Sequence, residues 1–484
     1  MKRYYAIAIL VFMSITGLSQ SPRMDYSEAF KLIEVWLDAQ RDYERLPALT
    51  AAVVHDQEVL WAGAFGLVNA EDSVKAEPST IFSICSISKL FTSVAIMKLY
   101  DEGKLRLDDE IGDLLPWYDL KQKYPESGPI TVRSLLTHSS GLPREADIPY
   151  WTAPDFRFPS RDQVKAALGN QETLYPSSTI FQYSNLGMSL LGEVVEQVSG
   201  MPYDEYMERN ILGPLGLNET GTSLPEACHG TRMAVGYSAV NRNLERKEVN
   251  FFQANAIKPA AGFSSTVLDL AKFASWQFRL MDTTSEEVLK PSTLKYMHNV
   301  HWTDPDWNIT WGLGFVVTRG EDGNTWIGHG GECPGYRTLL QLCPKTKLAI
   351  SIMINANNTN PDKYAGAINA ILAGAVATTP RDSGIPGKKN ADLQDYVGYY
   401  SDQPATSELY ISTWGGDLIL LTLPNDDPAG SMVLYRQVGK DTFRRVGNDG
   451  ELRETLVFER DTDGRVFRYK TFENYVIRIS RKQA

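Results

Sequence analysis

The sequence predicts an α+β domain followed by a smaller all-β domain, and three observations support this. The chain has 484 residues, a length that suits two or three domains. Strand patterns occur near both ends of its first 380 or so residues, with helical patterns between them. After Thr379 the composition changes, and only short alternating apolar and polar runs follow. We therefore place the domains at residues 21–380 and 391–484, joined by a linker at 381–390.

In the first domain, an amphipathic helix over Tyr26–Ala39 precedes two strands, Leu49–Val54 and Glu58–Gly66. Helical patterns then alternate with Pro- and Gly-rich loops over residues 84–300. Four further strands and a closing helix are predicted at Trp311–Thr318, Asn324–Gly328, Tyr336–Leu342, Lys347–Asn355 and Asp362–Val376. Because the strands come from both ends of the domain, we expect one sheet built from sequence-distant pieces.

The second domain begins after a Gly-, Pro- and Lys-rich stretch that is typical of a linker. Eight short runs with turn signals between them predict an antiparallel barrel or sandwich. The runs are Tyr396–Tyr400, Glu408–Thr413, Asp417–Thr422, Met432–Gln437, Thr442–Arg445, Thr455–Glu459, Val466–Tyr469 and Tyr475–Ile479. This domain contains no set of residues suited to chemistry, so we hypothesise that it shapes or covers a cleft in the first domain.

Residues 1–20 are typical of an export signal. Lys2 and Arg3 supply a positive start, the run Tyr4–Thr16 is largely apolar, and small residues follow at Gly17 and Ser19. We therefore expect a periplasmic or secreted protein, and the segment contains no cysteine for a lipid anchor. No later stretch approaches about 18 uninterrupted apolar residues, so stable membrane insertion is not expected.

The composition narrows the classes of partner. Hydrophobic residues make up 43% of the chain and charged residues 22%, as in a soluble globular protein. The net charge of −11 argues against nucleic acid, because binding a phosphate backbone requires a basic surface. We expect a small-molecule or peptide substrate and no metal or organic cofactor. Oligomeric state is not predicted.

The four cysteines are Cys85, Cys228, Cys333 and Cys343. None forms a C-x-x-C pair and no histidine cluster accompanies them, which argues against structural zinc. Export permits disulfides. Cys333 and Cys343 are close in sequence, and a bridge between them is the pairing we consider.

One motif suggests nucleophilic chemistry. Ser86-x-x-Lys89 opens a helix that extends to about Tyr100 and is apolar nearly all round, which predicts a buried helix. The helix dipole favours developing negative charge at Ser86, and Lys89 lies on the same face. Burial lowers the pKa of a lysine, so a neutral amine can take the serine proton. Ser292-x-x-Lys295 repeats the spacing, but we interpret it as an ordinary helix start with a solvated lysine.

Two further segments could complete a site. Tyr183-x-Asn185 precedes an apolar helix; a phenol near a lysine can relay a proton, and an asparagine can donate to a substrate carbonyl or to the lysine. His329-x-Gly331 ends a strand, where glycine lets a substrate backbone approach closely. Taken alone, the first segment is typical of a helix cap and the second of a turn.

Together these three motifs resemble, in order and spacing, the class C β-lactamase and serine DD-peptidase family, which includes related esterases and D-aminopeptidases. The likeness covers about residues 25–378. Other stretches similar to that family are Ile130–Pro143, Gly200–Tyr203, Pro214–Leu217, Pro259–Ser264 and Trp311–Phe315. The resemblance implies a β-lactamase/transpeptidase-like fold, an antiparallel sheet flanked by helices, and the second domain resembles the lipocalin-like or barrel modules appended to some peptidases of that family.

By the same resemblance, Ser86 is the acylated nucleophile, Lys89 its base and Tyr183 the proton relay. The backbone N–H groups of Ser86 and Glu332 would form the oxyanion hole. The implied reaction is hydrolysis of an ester or amide through an acyl-enzyme, with a D-amino-acid peptide, an ester or a β-lactam as substrate. The alternative is a binding protein, either a slow-deacylating penicillin-binding sensor or a non-catalytic relative.

The resemblance also implies that Asn185, His329 and Gly331 bind substrate. His329 departs from many β-lactamases, which have a lysine there whose fixed charge holds a substrate carboxylate. An unperturbed histidine is mostly neutral at pH 7, which disfavours efficient β-lactam hydrolysis. A second histidine, His138, ends a helix predicted over Thr131–Ser140, and we interpret it as structural, capping terminal carbonyl groups.

Overall fold

The computed structural model describes residues 25–320, 322–377, 390–401, 403–405 and 408–480. The predicted export signal and nearly all of the predicted linker lie outside these residues. In the described part of the chain, no helix is both long and apolar enough to cross a membrane.

The first domain contains eleven α-helices and eleven strands among the described residues. The helices are α1 Ser27–Tyr43, α2 Ser88–Asp101, α3 Ile111–Leu114, α4 Val132–Leu136, α5 Arg161–Leu168, α6 Asn185–Ser199, α7 Tyr203–Met207, α8 Lys258–Ala261, α9 Val267–Asp282, α10 Pro291–Met297 and α11 Pro361–Ala377. The strands are β1 Ala48–His55, β2 Glu58–Asn69, β3 Val74–Lys75, β4 Phe82–Ser83, β5 Ser264–Ser265, β6 Trp302–Thr303, β7 Thr310–Trp311, β8 Val316–Arg319, β9 Thr325–Cys333, β10 Tyr336–Cys343 and β11 Leu348–Ile354.

Nine of these strands form one antiparallel sheet in the order β3-β2-β1-β11-β10-β9-β8-β7-β6. The first and last long strands are neighbours, with Leu49 opposite Ile354. The sequence prediction of an α+β domain with one sheet built from distant pieces is confirmed. The remaining two strands, β4 and β5, pair with each other close to the start of α2.

Two predicted strands are wrong in extent. Asn324–Gly328 extends to Cys333 as β9, so His329-x-Gly331 lies within the strand and does not end it. Trp311–Thr318 is divided by a turn into β7 and β8. Gly314 in that turn has a φ of 80°, a left-handed conformation that glycine adopts without strain. A Cβ atom at this position would lie 1.8 Å from Ser93 Oγ of α2, so the turn also needs glycine to pack against that helix.

The sheet separates two apolar layers. Along β1, Ala52 and Val54 point to the layer that contains α2, α6 and α9, whereas Ala51 and Val53 point to the layer that contains α1 and α11. This alternation is the period of two expected of a strand buried on both faces. Helix α2 is buried on nearly all sides, as its apolar sequence predicts.

The C-terminal domain is a closed eight-stranded barrel, so of the two predicted architectures the barrel is correct. Its strands are β12 Gly398–Ser401, β13 Glu408–Trp414, β14 Asp417–Leu423, β15 Val433–Gly439, β16 Thr442–Val446, β17 Leu452–Arg460, β18 Val466–Thr471 and β19 Asn474–Ile479, with the short helix α12 Pro428–Ser431 after β14. Each predicted run contributes one strand, and β12 pairs with β19 to close the barrel.

The barrel is attached to the α1 and α11 side of the sheet. Barrel residues such as Trp414 and Leu421 belong to the same apolar cluster as α1 and α11. Trp36 of α1 donates from Nε1 to the carbonyl oxygen of Asn425 at 2.7 Å, and the Gly415 N–H donates to Glu28 at 2.6 Å. The barrel therefore lies on the opposite face of the sheet from α2.

Candidate active site

Ser86 lies in a 3-10 turn, Cys85–Ile87, that leads directly into α2. Its side chain is partly exposed, although the residues on either side of it are buried. The Oγ atom of Ser88 accepts from the Phe263 N–H at 3.0 Å and donates to the carbonyl oxygen of Cys85 at 2.5 Å, which fixes the turn. The Ser86 N–H makes no hydrogen bond to another described residue, so it is available to a ligand.

Lys89 is fully buried one helical turn after Ser86. Its Nζ atom donates to Asn185 Oδ1 at 2.8 Å and to the carbonyl oxygen of Ala260 at 2.7 Å, and it lies 3.2 Å from Ser86 Oγ. Burial holds the pKa of Lys89 well below its usual value, against the opposing effect of the Glu145 carboxylate. A neutral amine has two hydrogens for the two carbonyl oxygens, which leaves its lone pair for the serine hydroxyl.

The first residue of α6 is Asn185, and the helix cap places it. Ser184 is the N-cap residue, and its Oγ atom accepts from the Gly187 N–H at 2.8 Å. The Asn185 side chain then donates from Nδ2 to Glu145 Oε1 at 2.6 Å while its Oδ1 atom accepts from Lys89. The segment is therefore a helix cap and a part of the site at once.

The Tyr183 ring lies against Lys89 and Arg144, with Lys89 Nζ 4.8 Å and Arg144 Cζ 4.9 Å from the ring centre. Part of the side chain is exposed, but its hydroxyl oxygen is buried and lies near the Ser86 hydroxyl. Burial raises the pKa of Tyr183, although the nearby Ser86 hydroxyl acts to lower it. Tyr183 is thus a neutral phenol at pH 7.

His329 is buried on β9, next to the aromatic rings of Tyr183 and Trp311. Its Nδ1 atom is hydrogen-bonded to the Gly330 carbonyl oxygen, so Nδ1 carries the proton and the unpaired Nε2 atom is an acceptor. Burial first, and then the charge of Lys89, lowers the pKa of His329 to about 3. His329 therefore supplies no positive charge to the site.

His138 reaches the same cluster of rings, but not as the expected cap of helix carbonyl groups. The helix before it, α4, is shorter than predicted, and the His138 Nδ1 atom accepts from the Ser184 N–H at 3.1 Å. Its ring lies 4.3 Å from that of Tyr183, centre to centre. The structural interpretation holds in a different form, because His138 supports the Tyr183–Asn185 segment.

Gly331 places β9 directly against the Ser86 turn. A Cβ atom at Gly331 would lie 2.4 Å from the Ile84 carbonyl oxygen and 2.2 Å from Thr338 Oγ1. Only glycine allows this approach. Glu332 follows on the strand, with its side chain exposed and paired with Arg337.

The bridge considered between Cys333 and Cys343 is not formed, because Cys333 is bonded to Cys85. Cys333 ends β9 beside the start of the neighbouring strand β10. Cys343 is at the other end of β10, about 20 Å away along the strand. Cys343 is free and buried, and Cys228 is free and partly exposed.

A cleft of about 640 Å³ opens over Ser86. Its lining includes Asn185 and Glu332 as well as residues that the sequence analysis did not identify, Arg144 and Glu145. Both follow directly on the stretch Ile130–Pro143 and belong to the loop Pro143–Pro159, in which the sequence suggests that substrate specificity lies. None of the lining residues in the described part of the chain belongs to the barrel, so the barrel forms no wall of this cleft, and the hypothesis that it shapes or covers the cleft stays a prediction.

The second copy of the serine–lysine spacing has none of these features. Ser292 and Lys295 lie on α10, where Pro291 is the first helical residue, and both are exposed. The interpretation as an ordinary helix start is confirmed. Only the copy at Ser86 combines a buried lysine, an oriented asparagine and a cleft.

Comparison with known proteins agrees with this geometry. The sequence profile of the β-lactamase family matches residues 34–375. Beta-lactamase-like protein 4 of Dictyostelium discoideum is 26% identical over 76% of this chain and 69% of its own length. Protein flp of Staphylococcus aureus (strain N315) is 24% identical over 74% of this chain and 67% of its own length.

Two solved structures share the fold. An octameric penicillin-binding protein homologue from Pyrococcus abyssi has a TM-score of 0.64 and 24% identity, over 93% of this chain and 100% of its own. A D-stereospecific amidohydrolase from a Streptomyces species has a TM-score of 0.58 and 23% identity, over 72% of this chain and 99% of its own. The resemblance inferred from the three sequence motifs is confirmed.

Proposed function

Because the chain belongs to the β-lactamase family, whose members are generally hydrolases, we propose that it is a serine hydrolase that cleaves an ester or amide through an acyl-enzyme on Ser86. The observation that carries the proposal is the environment of Lys89. A fully buried amine with two of its three hydrogen-bonding positions on fixed carbonyl oxygens has its third directed at Ser86 Oγ, 3.2 Å away. This arrangement is that of a base beside its nucleophile.

In the proposed acylation, Lys89 Nζ takes the hydroxyl proton of Ser86 while Oγ bonds to the substrate carbonyl carbon. The negative charge that develops on the carbonyl oxygen is stabilised by the N–H groups of Ser86 and Glu332. The bond to the leaving group then breaks, and Tyr183 gives its hydroxyl proton to that group and regains one from Lys89. The helix dipole of α2 favours the same negative charge.

In deacylation a water molecule attacks the acyl carbon, and its proton passes through the same groups to Ser86 Oγ as the acid leaves. The Asn185 amide has one hydrogen engaged by Glu145, which leaves the second for a substrate carbonyl. On β9, Glu332 and Cys333 line the cleft, whereas His329 and Gly331 are buried on the same strand. Substrate would lie along this strand.

The preferred substrate is proposed from the lack of a positive charge on His329 of β9. The neutral His329 does not provide the fixed cation that holds a β-lactam carboxylate. We therefore propose simple esters and D-amino-acid amides or peptides as the preferred substrates, with β-lactams hydrolysed less efficiently. The fold shared with a D-stereospecific amidohydrolase supports this choice.

We also propose that the protein is periplasmic or secreted. The export-like sequence of residues 1–20 supports this, and so does the disulfide between Cys85 and Cys333, since such bonds persist in oxidising compartments.

The test is release of p-nitrophenol from p-nitrophenyl acetate by the purified protein, with Ser86→Ala and, as the matched control, Ser292→Ala. The proposal predicts sustained turnover that is lost in Ser86→Ala and retained in Ser292→Ala. A single burst equal to the amount of protein would instead identify a slow-deacylating sensor. Equal rates for all three proteins would contradict a Ser86 hydrolase. A substrate series of esters, D- and L-amino-acid amides and β-lactams then ranks the substrate classes by kcat/KM.

A further inference from the structure

The disulfide Cys85–Cys333 joins two segments that are 248 residues apart in sequence. Cys85 comes directly before Ser86, and Cys333 comes directly after Glu332. The bond thus connects the neighbours of the two residues whose N–H groups form the proposed oxyanion hole, with the two cysteine Cα atoms 5.6 Å apart.

The other interactions between these segments are side-chain contacts and packing, among them a contact of 3.3 Å between Ser83 Oγ and Cys333 Sγ. In the described residues, no backbone hydrogen bond joins Cys85 or Ser86 to β9. Thr338 of β10 donates from Oγ1 to the Ile84 carbonyl oxygen at 3.1 Å, and Gly331 packs against the same carbonyl group. The disulfide is the one covalent connection between the Ser86 turn and β9.

The backbone of Cys85 itself needs support. Its φ is 50°, in the left-handed region that residues with a Cβ atom rarely adopt. The residue is fully buried, and its carbonyl oxygen accepts from Ser88 Oγ. The φ of Cys85 helps to set where the following N–H, that of Ser86, points. A side-chain bond that holds Cys85 in place therefore acts on the direction of the Ser86 N–H.

We infer that Cys85 and Cys333 are positioning residues whose disulfide sets the spacing of the Ser86 and Glu332 N–H groups and so completes the oxyanion hole. This inference rests on the proposed hydrolase function. An oxyanion hole acts mainly on the transition state, so its loss lowers kcat and leaves KM nearly unchanged. Loss of one such donor typically lowers kcat by about 10²-fold or more, and a displaced donor by about tenfold.

The experiment is reversible reduction of the full-length protein during turnover of p-nitrophenyl acetate. Dithiothreitol reduces the disulfide to two thiols and is itself oxidised to its cyclic disulfide; removal of dithiothreitol and addition of oxidised glutathione re-forms the bond. Mass spectrometry after alkylation reports the state of each cysteine. We expect a fall in kcat of about tenfold or more, KM within about twofold, and recovery on reoxidation.

Two double variants provide the controls. Cys228→Ser/Cys343→Ser removes the two free thiols and should keep the full response to dithiothreitol. Cys85→Ala/Cys333→Ala should have the low kcat of the reduced protein and no response to dithiothreitol. Because that variant is also open to misfolding, its circular dichroism and unfolding midpoint are compared with those of the reduced wild type.

Equal kcat for the oxidised protein and for protein shown by alkylation to be reduced at both cysteines would overturn the inference. So would a bridged peptide that does not contain Cys85 and Cys333, or an equal change in kcat and KM. If the oxidised protein shows no turnover that depends on Ser86, the proposed function is itself overturned, and with it the positioning role of the disulfide. The Ser86→Ala comparison therefore separates the two failures.

Discussion

Asn185 donates from Nδ2 to Glu145 Oε1 at 2.6 Å, which fixes the amide so that its oxygen faces the buried amine of Lys89. Glu145 also accepts from the Tyr150 hydroxyl and lies 3.3 Å from Arg144 Nε. The carboxylate therefore affects the base of the proposed reaction in two ways, by orienting its hydrogen-bond partner and by its negative charge.

Replacing Glu145 with glutamine keeps an acceptor for Asn185 but removes the charge. Since the carboxylate raises the pKa of Lys89, that pKa should fall in Glu145→Gln. Activity requires neutral Lys89 and increases with pH through its pKa, so the acidic limb of the kcat/KM profile should move to lower pH. Glu172→Gln, at an exposed glutamate paired with Lys123, should leave the profile unchanged. Movement to higher pH, or none, would contradict the role of Glu145.

Lys89→Met keeps the length of the buried side chain and removes the amine. Loss of a general base typically lowers the rate by about 10²- to 10⁴-fold, and we expect a fall of that size in kcat/KM for p-nitrophenyl acetate. Lys295→Met is the matched control, because that lysine has the same spacing from a serine but is exposed on α10. A loss no larger than that of the control would show that Lys89 is not the base.

Two adjacent glycines on β9 give a steric test of the site. Gly331→Ala brings a Cβ atom within 2.4 Å of the Ile84 carbonyl oxygen, so it should push β9 away from the Ser86 turn. We expect a loss of stability of about 1–3 kcal/mol and a fall in kcat. At Gly330, the Thr338 carbonyl oxygen at 3.8 Å is the only atom of the described residues within 4 Å of an added Cβ atom, so Gly330→Ala should be tolerated. Urea unfolding and steady-state kinetics measure both, and equal behaviour of the two variants would be inconsistent with the close packing.

The architecture could be predicted from sequence because it depends on local periodicity. The eight runs of the barrel and the strands on either side of the helical section alternate with a period of two, and α2 is apolar nearly all round. The three motifs predicted which residues meet at the site. The predicted strand Trp311–Thr318 is divided at Gly314, where contact with Ser93 of α2 requires a turn, and that contact is not visible in the local pattern.

What could not be predicted depends on distances between remote segments. Cys85 is 248 residues from its partner, and the sequence left open whether Cys333 is bridged at all. The side of the sheet that the barrel covers is likewise decided by packing against α1, through contacts such as that of Trp36 with Asn425. Glu145 belongs to no motif, and its role appears only once Asn185 lies beside it.

Buried neutral histidines should make stability fall in acid. Burial lowers the pKa of His298 to about 3, and that of His329 similarly, so the unfolded chain binds more protons below about pH 6.5. Each of the two histidines therefore lowers the free energy of unfolding as pH falls below about 6.5. The decrease is about 1.4 kcal/mol per pH unit until the pKa of the folded protein is reached. Between pH 7 and pH 5, His298→Asn should lose about 2 kcal/mol less stability than wild type in urea unfolding. His55→Asn, at an exposed site, should lose as much stability as wild type between these pH values. The same loss in His298→Asn would show that His298 does not cause the acid sensitivity.

The proposed function depends on acylation of Ser86. Peptide mass spectrometry detects this acylation when p-nitrophenyl acetate is mixed with the protein and the reaction is quenched in acid within the first turnover. We expect an acetyl group on the peptide that contains Ser86, absent from Ser86→Ala and present at the same position in Ser292→Ala. An acetyl group on another residue, with turnover retained in Ser86→Ala, would contradict the proposed function.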